Sequence, residues 1–135
     1  MRIFIWINFF WGCIVFCDSA SATAIHCPET IQTTQSLQHD IKAWEAFQDD
    51  WNSTHHFDRV TFYSGHPKEQ ASLAPDTEVS KVKKLTWSFD KQEIWVACEY
   101  THTKIQLIQK IPHGTESCSV TYNENFSKVL SINCT

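Results

Sequence analysis

The 135-residue sequence is 42% hydrophobic and 19% charged, with four Pro and three Gly, which supports one compact domain and little more. Gly12 lies in an apolar leader, and Gly65 and Gly114 alone cannot build a phosphate loop, a dinucleotide fingerprint or a Gly-x-Ser-x-Gly nucleophile elbow. The formal net charge of −4 is carried by scattered acids, which argues against nucleic acid or an anionic membrane surface as a partner and leaves room for a basic protein.

Met1 and Arg2 open the chain, Ile3 to Phe16 form an apolar run too short to span a bilayer, and Ala20-Ser21-Ala22 follows as an A-x-A cleavage site. Residues 1–22 are therefore expected to be a signal peptide and residues 23–135 a single exported β-rich domain, with no stable membrane insertion after cleavage. Phe16 before Cys17 and Trp11-Gly12 before Cys13 do not make a lipobox, so both cysteines fall in the discarded leader. Cys27, Cys98, Cys118 and Cys134 remain, an even count that predicts two disulfides with three possible connectivities in an oxidising compartment. No Cys-x-x-Cys occurs, so these cysteines are structural and not redox-active or zinc-binding.

In chain order, Pro28 to Gln35 suggest a first strand. Ile41, Trp44, Phe47 and Trp51 recur at three and four residues behind Asp40 as N-cap, which predicts a short helix over 41–51. Val60 and Phe62 mark a strand over 59–63, and Ser64 to Ser80, with Gly65, Pro67 and Pro75, reads as a long ordered loop. Val82 to Phe89 is a further strand turning at Asp90-Lys91 toward Ile94. Period-two alternation then runs through Ile94, Val96, Cys98 and Tyr100; Ile105, Leu107 and Ile111; Cys118, Val120 and Tyr122; and Leu130, Ile132 and Cys134. The fold class is mainly β (α+β): an antiparallel sheet or small sandwich or barrel with one short helix and two disulfides.

If 94–100, 104–111 and 117–122 form a meander, the outer strands lie about 9 to 10 Å apart, beyond the ~7 Å Cα limit for a Cys98–Cys118 bridge. If Tyr122 opposes Leu130 in the last hairpin, Cys118 opposes Cys134, which leaves Cys27 for Cys98. That assignment depends on the strand order and register. The short and long loops so closed contribute roughly 3 and 4.5 kcal/mol.

Chemistry is sparse. His26, His39, His55, His56, His66, His102 and His113 show no i, i+4 pair on the predicted helix, and His55 and His56 point to opposite faces of a strand, so they read as exposed or loop histidines and not as metal ligands. Glu45, Asp49 and Asp50 read as a solvated charge cluster, and nothing positions a Ser-His-Asp set. No catalytic residue, metal or cofactor is assigned, and the protein is not expected to be an enzyme. Trp44, Trp51, Trp87 and Trp95 are assigned to the core, the last two as a cross-strand pair flanking the tight turn; an exposed sugar-stacking platform is the alternative.

Cys27-Pro28, Trp44, Tyr63-Ser64-Gly65-x-Pro67, Leu73-x-Pro75-Asp76, Trp87, Trp95-x-x-Cys98-x-Tyr100-x-x-Thr103, Ile111-Pro112-x-Gly114, Cys118-x-Val120-x-Tyr122 and Ile132-x-Cys134 are together similar to small four-cysteine exported proteins of Gram-negative bacteria. Some members of that group sit in type VI secretion islands. The resemblance implies a periplasmic immunity protein that binds and inhibits a peptidoglycan-targeting effector, of the L,D-transpeptidase type, by occluding its active site. The shared positions are scaffold residues, so no active site is carried over, and Ala97 stands where a larger aliphatic residue is expected.

A protein that blocks a cleft presents a preorganised projecting loop, because ordering a floppy one at binding costs affinity. Ser64, Gly65, His66, Pro67, Lys68 and Glu69 meet that demand, and His102 and Thr103 at a hairpin tip are the second candidate surface. The alternative function is an envelope glycan- or ligand-binding module that uses exposed tryptophans.

Overall fold

The computed structural model describes residues 22–135; the expected signal peptide, with Cys13 and Cys17, lies outside the described residues apart from Ala22. Ten strands run in chain order: β1 (Thr23–Ala24), β2 (Thr30–Gln32), β3 (Thr54–Ser64), β4 (Ser72–Leu73), β5 (Thr77–Val79), β6 (Lys84–Ser88), β7 (Ile94–Tyr100), β8 (Gln106–Lys110), β9 (Ser117–Tyr122) and β10 (Val129–Cys134). They form two antiparallel sheets curled into a half-barrel, one ordered β1-β10-β9-β6-β5 and the other β2-β3-β7-β8, with β4 also paired to β3.

Alternation decides which face each sheet turns inward. On the first sheet Leu85, Trp87, Cys118, Val120, Ile132 and Cys134 face the core, while Thr86, Ser119, Ser131 and Asn133 face out. On the second, Val60, Phe62, Ile94 and Val96 face in. The sheets meet where Phe62 packs on Trp87 and Phe89, with ring centroids 4.9 and 5.6 Å apart.

Both expected disulfides are present. Cys118 and Cys134 are direct cross-strand partners with Cα atoms 4.1 Å apart, and Cys27 joins Cys98 at 5.8 Å across a sequence separation of 71. The route to that pairing differs from the expected one. β9 pairs with β6 and β10 rather than with β8, so no meander forms, and Cys98 is kept from Cys118 by belonging to the other sheet. The chain leaves β8 at Ile111-Pro112, and the missing Pro N–H ends the ladder there.

Other expectations change for the same topological reason. β6 and β7 lie in different sheets, so Trp87 and Trp95 do not pair: Trp87 is core and donates from Nε1 to the Leu73 carbonyl at 3.0 Å, whereas Trp95 faces outward. Val82 belongs to a 3-10 turn ahead of β6 and is exposed. A bulge between Val129 and Ser131 sets Val129 opposite Tyr122 and pushes Leu130 out to 60% exposure, although alternation had placed Leu130 on the inner face. Along the edge strand β8 only the following Ile111 is buried; Ile105 and Leu107 remain exposed. The loop 64–80 contains β4, β5 and a 3-10 turn at Pro67–Glu69.

The largest departure is at 41–51, where a helix with Asp40 as cap is expected and none forms; no α-helix occurs among the described residues. One turn closes from Trp44 N–H to the Ile41 carbonyl at 3.0 Å, Ala43 takes φ 69°, and the chain continues irregularly to Asn52 at φ 62°. The inner faces of the sheets are already filled by each other, and an isolated helix of this length is marginal without an apolar surface to dock on. Trp44 and Trp51 are therefore not core residues.

Candidate functional site

β3 is 11 residues long, so its two ends lie roughly 33 Å apart. The two expected interaction surfaces sit at opposite ends of it.

Ser64 to Glu69 follow the carboxy end of β3. Gly65 turns there with φ 80°, a left-handed conformation that L side chains rarely adopt and that favours glycine. His66 caps the 3-10 turn: its Nδ1 accepts from Lys68 N–H at 3.2 Å, and its ring packs tilted by 60° against Trp95 at 4.8 Å between centroids. Gly65 N–H donates to the Glu93 carbonyl at 2.8 Å, and Ser64 Oγ donates to Gln92 at 2.9 Å. Glu93 accepts in turn from Lys110 Nζ at 2.5 Å and Trp95 Nε1 at 2.7 Å, and these two hydrogen bonds hold its carboxyl below the usual carboxylate range. The loop is thus tied on three sides, with Lys68 and Glu69 exposed at its crest.

His102 and Thr103 form the turn between β7 and β8 at the other end, His102 exposed with φ 57°. Beside them rises the 33–53 connection. Thr33 N–H donates to the Ser53 carbonyl at 2.9 Å and Gln35 N–H to Gln48 Oε1 at 3.2 Å, which closes the neck of a long loop between β2 and β3. His55 lies buried under that neck at 3% exposure, Nδ1 donating to the Thr101 carbonyl and Nε2 paired with Thr33 Oγ1, both at 2.8 Å. This corrects the expectation that the histidines are exposed or in loops; the opposite facing of His55 and His56 holds, with His56 exposed. A pin made of one histidine and two threonines therefore holds the loop neck to the β7–β8 tip. Sequence reasoning missed it because a single His in a β-rich stretch carries no spacing signature.

Above the neck Trp44, Phe47 and Trp51 stand 80, 88 and 83% exposed, with Leu37 and Ile41 also in solvent. Large aromatic side chains left this open on a small domain make the loop a further candidate surface. Among the described residues no group of three metal-ligating side chains is gathered, no buried side-chain polar atom lacks a partner, and no helix is long and apolar enough to cross a membrane. The described surface thus carries two hydrogen-bonded loops and an aromatic projection.

A family model described as Type VI secretion system Tli immunity protein matches residues 51–135. The chain belongs to that family. No curated protein and no solved structure shows a match. The Tli immunity match begins at Trp51, so it takes in β3 to β10, the Ser64–Glu69 loop and the His102–Thr103 tip, while most of the aromatic loop precedes it.

Proposed function

We propose that this Tli immunity protein acts in the periplasm by binding a cognate type VI effector and occluding its active site. The observation that carries the reading is the family match across the disulfide-stapled half-barrel. The protein works as a rigid binding surface and not as a catalyst. The resemblance noted from the sequence supports an effector that acts on peptidoglycan, of the L,D-transpeptidase type. The candidate contact surfaces are Ser64 to Glu69 and His102-Thr103, one at each end of β3.

Co-expression with the effector encoded by the adjacent gene tests this reading directly. The wild-type protein is expected to co-purify with that effector and to protect cells in which the effector is directed to the periplasm. Assaying the purified effector on peptidoglycan sacculi and on phospholipid vesicles identifies its substrate; activity on vesicles alone would refute the peptidoglycan assignment. Export predicts a mature protein starting at Thr23 with a mass lower by four hydrogens than the reduced chain. Intact-mass spectrometry of a periplasmic fraction checks both, and a retained leader or free thiols at Cys118 and Cys134 would contradict it.

One observation favours a second reading. The exposed Trp44 and Trp51 offer flat faces suited to stacking on sugars, as a glycan-binding module in the envelope requires. Retention of the purified protein on sacculi in the absence of effector would support it.

A further inference from the structure

We infer that the aromatic loop over residues 37–51 is the anchor that enters the effector, occupying a cleft with apolar walls and a basic rim. The inference rests on the immunity reading and deepens it by naming the contact surface and the chemistry of the partner.

Three features of the loop converge on this occupant. First, Trp44, Phe47 and Trp51 are almost fully exposed and project from a closed neck. Aromatic side chains of this kind bury roughly 150–250 Å² each, so the three supply about half or more of the ~800 Å² that one partner contributes to a standard interface. They also belong to the residue types that dominate binding hot spots. Second, acids are interspersed with the aromatics along the loop sequence. Asp40, Glu45, Asp49 and Asp50 lie in the loop against Lys42 as its one Lys or Arg, so the complementary surface is apolar at its centre and basic at its edge. An anionic bilayer would be repelled by the same acids. A projecting loop is also the opposite of the concave, polar-lined site in which a small ligand is enclosed.

Third, the loop is preorganised. The Thr33–Ser53 and Gln35–Gln48 hydrogen bonds close its neck, and Trp51 N–H donates to Asp49 Oδ1 at 3.0 Å. Beneath the neck the buried His55 ties it to Thr101, so the loop neck and the His102-Thr103 tip are joined. Ordering at binding therefore costs little. Most of the loop precedes Trp51, where the family match begins, which places it outside the part of the chain that defines the family and suits it to discriminating one effector from another.

The test uses the mature protein and the purified effector of the adjacent gene, with affinity measured by calorimetry and function by protection of effector-challenged cells. The triple variant Trp44→Ala/Phe47→Ala/Trp51→Ala is expected to weaken binding at least about 100-fold and to abolish protection, with an unchanged thermal midpoint because all three side chains are exposed. The double variant Trp44→Ala/Phe47→Ala, which leaves the neck-proximal Trp51 in place, carries the test should the triple variant misfold, and at least about 10-fold weakening is expected of it. Glu45→Lys/Asp50→Lys should slow association and flatten its dependence on salt. Charge reversal at the other candidate surface, Lys68→Glu/Glu69→Lys, should weaken binding by a smaller factor than the aromatic variants do.

Wild-type binding matched by the aromatic variants would overturn the inference and leave the immunity reading standing; strong loss at Lys68 and Glu69 instead would move the anchor to the other end of β3. A wild-type protein that neither binds nor protects would overturn both. Loss of self-association, of vesicle binding or of sacculus binding in the variants, with effector affinity intact, would assign the loop to a second copy, a membrane or a glycan and likewise overturn it.

Discussion

Replacing Cys27 and Cys98 together by alanine is expected to lower the unfolding free energy by about 4.5 kcal/mol, a large fraction of the ~5–15 kcal/mol of a small domain. The bridge closes a loop with a sequence separation of 71, so its removal returns much conformational freedom to the unfolded chain. It also releases the segment before β2 from the central strand β7 of its sheet. The Cys118–Cys134 bridge spans a separation of only 16, and the matching double variant should lose about 3 kcal/mol. Urea unfolding of the oxidised wild type and the two variants checks both values. Unchanged midpoints would show that the bridges do not support the fold.

Phe62→Ala is expected to cost about 3–5 kcal/mol. Phe62 has no exposed surface, and it is the ring on β3 that reaches across to Trp87 and Phe89 of the opposite sheet. Truncation leaves a cavity at the junction of the two sheets, where neither backbone can collapse without breaking its ladder. Phe62→Leu should cost less, since it keeps much of the volume. Denaturant midpoints decide this. A loss below about 1 kcal/mol in Phe62→Ala would mean that the sheets are not held together at this contact.

Strand identity was legible in the residues because alternation survives wherever one face of a sheet is buried. Ile94 to Tyr100 and Ser117 to Tyr122 are strands as expected, and Cys118 opposes Cys134. Sheet membership was not legible. The same alternation serves equally well for a neighbour in the meander and for a strand on the facing sheet, and nothing in Pro112 to Glu116 announces that the chain crosses over there. The bulge at Leu130 was hidden for a similar reason: a single inserted residue moves Val129 inward without altering the composition of the strand.

The candidate surfaces divide in the same way. Gly65 and Pro67 announced a shaped turn, and the structure ties it down as expected of those residues. The aromatic loop was read as a helix because Ile41, Trp44, Phe47 and Trp51 carry helical spacing, and spacing cannot say whether an apolar surface exists to receive the stripe. Here every inner face is occupied by the other sheet, and the stripe is left in solvent.

The two bridges join cysteines that are consecutive among the four of the described chain: Cys27 with Cys98, then Cys118 with Cys134. In a chain made amino end first, Cys27 meets Cys98 before either later cysteine is present, so consecutive pairing requires no non-native bond to form first. The first strand must meanwhile wait. Thr23 pairs with Cys134 itself, so the half-barrel closes only when the last strand is available, and a chain already stapled at Cys27–Cys98 stays open until residue 134 joins it.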